Sequence, residues 1–194
     1  MQSSLAAYLH ESAAAAARLA ADETAQSALA HMAATLASTF TSGGRLLIAG
    51  NGGSAADAAH LAAECVSRCH AERPPLGAIS LAAAGPALTA LANDYGPAEI
   101  FARQIAALGR AGDQLLLLST SGRSPNLLAA QRAARAAGLG IIGFAGADDG
   151  PMAPGCDILF RAPSRHPQIV QQLHIAAGHA LLLLIEQQLF GVPA

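Results

Sequence analysis

Residues 46–54 read LLIAGNGGS, and residues 115–124 read LLLLSTSGRS. In each stretch an apolar run typical of a buried strand leads into a loop of small and hydroxyl residues, and a helix-like segment follows. Glycine amides can approach an anion closely, and the start of a helix offers its positive dipole end. The two loops together indicate a site for the phosphate group of a small molecule.

A single loop of this kind has a simpler explanation, a tight turn with a helix cap. The inference of a phosphate site therefore depends on the presence of both loops. The glycines of residues 50–53 do not have the spacing of a dinucleotide-binding fingerprint. An acidic residue about twenty positions later, at a strand end, is also missing. Nucleotide binding is therefore disfavoured.

The rest of the core alternates between strand-like and helical patterns. Strands are predicted at residues 45–49, 77–81, 114–118, 140–144 and 157–161. Helices are predicted at residues 55–69, 86–93, 97–108, 125–137 and 168–190, the fourth with Ser124 as its N-cap and Pro125 at its first position. This alternation predicts an α/β fold with a parallel sheet covered on both faces, in which ligands bind beyond the carboxyl ends of the strands.

The N-terminal segment has a different pattern. Residues 3–41 are rich in alanine, with apolar residues at helical spacing, and predict either two helices or one broken helix. We expect residues 1–42 to form an arm that packs against another subunit, because such an apolar stripe needs a cover. Residues 43–194 then form the α/β core, and residues 1–194 make a single domain, since no linker or repeat interrupts them.

Composition excludes several classes of function. The net charge of −2 and the pI near 6.4 provide no basic face for nucleic acid or for a membrane surface. All eleven basic residues are arginine, which excludes Schiff-base chemistry and a P-loop lysine. Cys65, Cys69 and Cys156 are expected to be reduced packing residues, and with no signal-like or membrane-spanning segment they predict a cytoplasmic protein.

Polar side chains on the predicted helices are the candidates for chemistry. His60 and Glu64 are four residues apart, so they share a helix face, and a carboxylate in that apolar surrounding needs a partner or a task. Gln171 and His179 are two turns and roughly 80° apart on the last helix, and meet the first pair only if the two helices converge. A structural role stays open for His60 and Glu64. A hydrogen-bonded core or interface position is the preferred interpretation of His174, and of His10, His31 and His70, whereas His166 is expected in a loop.

Four ordered motifs resemble the phosphoheptose isomerases of the sugar isomerase (SIS) fold family. They are GNGGSAADAAHLAAE at residues 50–64, ANDYG at 92–96, STSGRSPN at 119–126, and QQLH at 171–174 followed by His179. The resemblance implies a three-layer sandwich with a five-stranded parallel sheet, assembled as a homotetramer with active sites at subunit interfaces. It also implies interconversion of sedoheptulose 7-phosphate and D-glycero-D-manno-heptose 7-phosphate, the first step toward the heptose of lipopolysaccharide or of capsules and glycoproteins.

The same resemblance assigns roles to residues. Glu64 matches the general base and His179 its partner acid. Zinc ligands in some relatives match His60, Glu64, Gln171 and His179. Substrate contacts are implied for Asn51, Gly52, Gly53, Ser54, Glu64, Arg68, Asn93, Asp94, Ser119, Thr120, Ser121, Ser124 and Gln171.

The chemistry of the residues agrees with this assignment. Ketose–aldose conversion moves a proton from C1 to C2 through an enediol, and one carboxylate and one imidazole suffice for it. A divalent metal across O1 and O2 would stabilise the enediolate, although glutamine is a weak zinc ligand. A carboxylate with both oxygens on a metal cannot also take the proton, so the two roles of Glu64 compete.

One segment departs from the family pattern, and one other function stays open. Where relatives often have a polar segment, residues 82–86 read AAAGP, which removes a side-chain partner for a sugar hydroxyl. The alternative is a non-catalytic SIS-domain adaptor that binds the bacterial replication initiator. That paralogue lacks the matching glutamate and final histidine, which this chain keeps as Glu64 and His179. A DNA-binding regulator would need additional length and basic charge.

Overall fold

A five-stranded parallel sheet forms the centre of the computed structural model, which describes residues 2–191. The strands lie in the order β2-β1-β3-β4-β5, with bounds β1 Leu46–Gly50, β2 Ala78–Ser80, β3 Gln114–Ser119, β4 Gly140–Ala145 and β5 Ile158–Arg161. This confirms the predicted fold class. Residue 1 and residues 192–194 of the predicted domain lie outside the described residues.

The order of the strands determines where a ligand can bind. From β1 the chain passes to β2 on one side and then to β3 on the other, so the winding reverses between β1 and β3. Doubly wound sheets bind ligands in the crevice at this reversal, beyond the carboxyl ends of the strands. The loops after β1 and β3 are the two small-residue loops of the sequence.

Helices cover both faces of the sheet. Their bounds are α1 Gln2–Ala20, α2 Glu23–Thr41, α3 Gly53–Val66, α4 Gly85–Tyr95, α5 Ala102–Leu108, α6 Pro125–Ala136 and α7 Pro167–Phe190. Side chains alternate across the strands, so that Ile48 and Leu116 pack with α2, α3 and α7, whereas Leu47 and Leu115 pack with α5 and α6. The three-layer arrangement follows from these two apolar clusters.

The N-terminal segment consists of two helices, which settles the alternative left open by the sequence. Asp22 separates them, and its Oδ1 accepts a hydrogen bond from the Ala25 amide at 3.0 Å, the usual N-cap contact. The first helix leaves Leu5 61% and Leu9 56% exposed. Within the described part of the chain, the apolar side of α1 is therefore only partly covered.

Two predicted helices have wrong bounds. Residues 97–108 do not form one helix: a 3₁₀ turn, Pro97–Glu99, precedes α5, because Gly96, at φ 88°, ends α4 and redirects the chain. The helix predicted to reach residue 69 ends at Val66, where the chain turns back toward β2. A second 3₁₀ segment, Gly150–Gly155, was not predicted.

Helix α7 is long and apolar enough to cross a membrane by length and composition. Half of that window is buried inside the protein, however, and α7 packs against α2 and α3. Core helices of soluble proteins have the same composition, and these contacts make α7 the core helix of this fold.

Candidate active site

Helices α3 and α7 bring three polar side chains to one point. His60 Nε2 lies 3.3 Å from Glu64 Oε1, and His179 Nε2 lies 3.6 Å from Glu64 Oε2. The two Nε2 atoms are 2.9 Å apart. The predicted chemistry required the helices that carry Glu64 and His179 to converge, and this convergence is confirmed.

The convergence depends on a close approach of the two helices. A Cβ atom on Gly178 would lie 2.7 Å from Leu61 Cδ2, which is well inside an ordinary contact. Glycine at this position therefore lets α7 lie directly on α3. Because Gly178 precedes His179, the contact that joins the helices also places the His179 imidazole over α3.

Asp57 is a member of this site that the sequence analysis missed. It precedes His60 by three residues and Glu64 by seven, so all three share one face of α3. Burial raises the pKa of the Asp57 carboxyl, and a hydrogen bond from Gln171 and the nearby His60 and His179 partly oppose that rise. The spacing of the three residues was the signal that could have found it.

The donor set fits a divalent metal ion. The ligand atoms of His60, Glu64 and His179 all lie within 4.8 Å of one another. Two buried carboxylate oxygens, Asp57 Oδ2 and Glu64 Oε2, have no hydrogen-bond partner within the described residues. Imidazole nitrogens and carboxylate oxygens suit zinc among the common biological cations, and the unpartnered oxygens supply negative charge beside them.

Gln171 packs against the start of α3. A Cβ atom on Gly53 would lie 2.6 Å from Gln171 Cδ, so the amide covers the bare Cα of this glycine. The same side chain lies beside the Asp57 carboxylate. Gln171 thus lies between the first loop and Asp57.

The first loop is shaped by a glycine in a conformation that other residues rarely adopt. Gly52 has φ 55° and ψ −121°, and its carbonyl accepts the Ala55 amide as α3 begins. Ser54 is buried in the first turn. Asn51 exchanges two hydrogen bonds with Asn126, at 2.8 and 3.0 Å, which ties this loop to the start of α6. Asn126 lies in a quoted motif but was not proposed as a site residue.

In the second loop, hydroxyl groups hold the turn. Ser119 Oγ accepts the Gly122 amide at 3.0 Å, and Ser121 Oγ accepts the Arg123 amide at 3.3 Å. Ser124 is the N-cap of α6 by position, but its hydroxyl makes no capping hydrogen bond. The first-turn amides of α6 therefore receive no side-chain cap from Ser124, and such amides are a preferred anion site.

Cavities lie on both sides of the second loop. One of about 180 Å³ is lined by Thr120, Ser121, Arg123, Asp148, Ser164, Arg165 and Pro167. A second of about 420 Å³ is lined by Asn51, Pro97, Ala98, Ser124, Pro125 and Asn126. Both are open at the carboxyl edge of the sheet, where the phosphate group was expected.

Three predicted contact residues are exposed and pair with near neighbours in the sequence. Asn93 and Asp94 are exposed near the end of α4, and Asn93 Nδ2 donates to Asp94 Oδ1 at 2.8 Å. Arg68 pairs with Glu72 at 3.1 Å, and both side chains are exposed. Exposed ion pairs contribute little stability, so this pairing leaves Arg68 free to rearrange.

The remaining histidines are separate from the site. His174 is 1% exposed, its Nε2 donates to the Ala145 carbonyl at 3.1 Å, and burial lowers its pKa to about 4, which confirms the structural role. His10, His31 and His70 are exposed in this chain, so of the predicted core or interface role only the interface part remains a prediction for them. His166 precedes α7 and faces Glu11 at 3.3 Å.

The cysteines are present as thiols in this structure. Burial raises the pKa of Cys65 to about 12, and burial also raises those of Cys69 and Cys156 to about 11. Their thiolate forms, which bind metals and react as nucleophiles, are strongly disfavoured at neutral pH.

Comparison with known proteins gives concordant matches. Residues 7–146 match the family model described as SIS domain. A phosphoheptose isomerase from Bradyrhizobium sp. (strain BTAi1) is 48% identical over 185 residues, which cover 95% of this chain and 93% of the relative. One from Rhodospirillum rubrum is 48% identical over 84% of this chain and 86% of its own.

Solved structures agree with these relatives. The structure of a phosphoheptose isomerase from Francisella tularensis superposes with a TM-score of 0.91 at 33% identity, covering 96% of this chain and 98% of the other. The enzyme of the same name from Neisseria gonorrhoeae gives 0.88 at 35% identity, covering 95% and 98%. The similarity therefore extends over nearly the whole of each chain.

Proposed function

The chain belongs to the SIS-domain family and, within it, to the phosphoheptose isomerases, and we propose that it interconverts sedoheptulose 7-phosphate and D-glycero-D-manno-heptose 7-phosphate. It is an aldose–ketose isomerase acting through an enediol. The observation that carries the proposal is the meeting of Glu64 and His179, from helices more than a hundred residues apart, in a cluster that Gln171 connects to the first small-residue loop.

Glu64 and His179 divide the proton transfers between them. The Glu64 carboxylate takes the proton from C1 of the ketose and returns it at C2, while the His179 imidazole exchanges the hydroxyl protons on O1 and O2. Glu64 is suited to this because Oε2 is buried and accepts no hydrogen bond within the described residues, while His179 Nε2 lies 3.6 Å from it. His179, 41% exposed, is accessible to the sugar.

The loops that follow β1 and β3 bind the phosphate group. Gly52, Gly53 and Ser54 offer amides at the start of α3, with Asn51 beside them, and Ser119, Thr120, Ser121 and Ser124 surround the start of α6. The Asn51–Asn126 pair links the first loop to the start of α6. A dianion held there anchors the substrate so that its carbonyl end reaches the cluster.

A zinc ion is part of the proposal, with His60, Glu64, Gln171 and His179 as its ligands. Bound there, it would stabilise the negative charge of the enediolate as a Lewis acid. Glu64 and His179 would then be metal ligands as well as proton-transfer groups, so the two functions compete at both residues. Glu64 has one oxygen on the His60 side, Oε1, and one on the His179 side, Oε2.

The assembly is proposed to be a cytoplasmic homotetramer of a single-domain chain. Its support is the exposed apolar surface of α1 and the exposed position of α4, which buries none of its described residues. Asn93, Asp94 and Arg68 then contact substrate where subunits meet. The adaptor alternative is not favoured, because Glu64 and His179 are both present and the similar proteins carry the name of the enzyme.

Incubation of the purified protein with sedoheptulose 7-phosphate tests this function. In D₂O we expect the aldose to appear by NMR with deuterium at C2, and a chelator to reduce the rate. Dephosphorylated sedoheptulose serves as the control and should be converted at least tenfold more slowly, because it lacks the anchoring dianion. Failure of the phosphorylated ketose to react under metal-replete conditions would refute the proposal.

A further inference from the structure

We propose that Arg73 and Glu186, a buried ion pair outside the catalytic cluster, act as positioning residues that hold Glu64 opposite His179. The inference rests on the proposed function for its kinetic consequence, but not for its geometry. Both side chains are almost fully buried, at 1% and 2% exposure, and their Nε and Oε1 atoms are 2.9 Å apart.

Glu186, on α7, binds the loop that follows α3. Its Oε1 accepts the Cys69 amide at 3.0 Å in addition to Arg73, and its Oε2 accepts the amides of His70 and Ala71 at 3.2 and 3.1 Å. Three consecutive amides converge on one carboxylate. The loop is thereby fastened to α7 through its backbone, independently of the side chains of these three residues.

Arg73 binds the end of α3 itself. Its Nη2 donates to the Glu64 carbonyl at 2.8 Å, and its Nη1 donates to the Cys65 carbonyl at 2.7 Å. These carbonyls belong to the last turn of α3, where intrahelical partners run out. The guanidinium therefore caps α3 at the backbone of Glu64.

The register along α7 completes the connection. Glu186 follows His179 by seven residues, which is nearly two turns, so both side chains project from one face of α7. A short path of buried contacts runs from the Glu64 backbone through Arg73 and Glu186 to the helix that carries His179.

A gain in folding stability does not by itself explain why Arg73 and Glu186 form a buried ion pair. Buried ion pairs seldom stabilise a fold more than apolar residues of the same volume, because both charges lose their hydration. What apolar residues cannot reproduce is the set of directed bonds to the Glu64 carbonyl and to the loop amides. We therefore infer that the pair is retained for geometry.

Glu186→Gln tests the proposal, with Asp113→Asn as its matched control. Asp113 is also a buried carboxylate, 4% exposed, that accepts two amides and an arginine, Arg45, but it lies at the amino-terminal edge of the sheet, away from the cluster. Both substitutions leave buried donors facing an amide group, and both should lower the midpoint of thermal unfolding. Assays are run well below both midpoints.

We expect Glu186→Gln to lower kcat at least about tenfold, because displacements of ångström size at a reacting group are costly. Asp113→Asn should keep kcat and KM within about twofold of the unchanged protein. In a crystal structure of Glu186→Gln, the separation of Glu64 Oε2 and His179 Nε2 should exceed its present 3.6 Å by an ångström or more.

An unchanged separation in that structure would overturn the proposal, and so would equal kcat values in the two variants. If the unchanged protein does not isomerise the heptose phosphate, the proposed function fails, and the measured separation alone decides the role of the pair. If Glu186→Gln does not fold, Arg73→Lys takes its place under the same criteria, since lysine keeps the charge but cannot reach Glu186 and both carbonyls together.

Discussion

The contact between Gly53 and Gln171 makes a sharp prediction about catalysis. Gly53 is the first residue of α3, and its Cα faces the amide of Gln171 on α7. In a Gly53→Ala protein, the added methyl group would lie 2.6 Å from Gln171 Cδ. Carbon atoms in contact are about 3.5–4.0 Å apart, so the amide must retreat by about 1 Å.

The folded state should tolerate this change better than the active site does. The backbone of Gly53 is not in the left-handed region, so alanine can adopt it, and replacing glycine there restricts the unfolded chain, a gain of about 0.4–1 kcal/mol. That gain offsets part of the cost of moving the amide, so we expect the free energy of unfolding to change by no more than about 1 kcal/mol. A misplacement of 1 Å at a ligand or substrate contact can slow a reaction by about 10²-fold.

A double-mutant cycle measures whether the effect acts through Gln171. Initial rates of sedoheptulose 7-phosphate isomerisation are compared for Gly53→Ala, Gln171→Ala and the double variant, each with its thermal unfolding midpoint. If the methyl group acts by displacing the amide, it has nothing to displace once Gln171 is truncated, and the double variant equals Gln171→Ala. A wild-type rate for Gly53→Ala, or a double variant much slower than Gln171→Ala, would refute the reasoning.

Two further substitutions test the assigned roles of residues. Glu64→Gln should retain the fold and the binding of the sugar phosphate but lose exchange of the C1 proton with D₂O, and undiminished exchange would remove Glu64 from the role of base. His174→Gln should keep a hydrogen-bond donor for the Ala145 carbonyl but remove the imidazole that takes up a proton. Because burial lowers the pKa of His174 from 6.5 to about 4, the unfolded chain takes up this proton first as the pH falls through that window. The unchanged protein then loses about 3 kcal/mol of stability that it has in full above pH 6.5. Denaturant titrations at pH 7 and pH 4 should show a smaller loss for the variant, and equal losses would contradict the assignment.

The sheet was predictable because its signals are local. The strand bounds agree with the apolar runs to within a residue, since a parallel strand covered on both faces must be apolar along its length. The wrong bounds lie where distant contacts decide. Helix α3 ends at Val66 because Arg73 and Glu186 turn the following loop, and Glu186 is more than a hundred residues away in the sequence.

The candidate active-site cluster was predictable only in part. The four-residue spacing of His60 and Glu64 revealed one side of it, and the family motifs suggested His179 as the other. Their actual meeting depends on the bare backbones of Gly53 and Gly178, which let α7 come down onto α3. A sequence pattern shows that these residues are small, but it does not show which side chain fills the space beside them.

The exposed position of α4 bears on how the site is completed. This helix carries Asn93 and Asp94, yet none of its described residues is fully buried, and Leu88 is its half-buried contact with the core. An isolated helix of eleven residues is marginal in water and needs packing on one face for its stability. Since the described chain gives α4 little such packing, we expect a neighbouring subunit to provide it. The two polar residues at its end would then be held in place by assembly, so subunit association and catalysis would be coupled through α4.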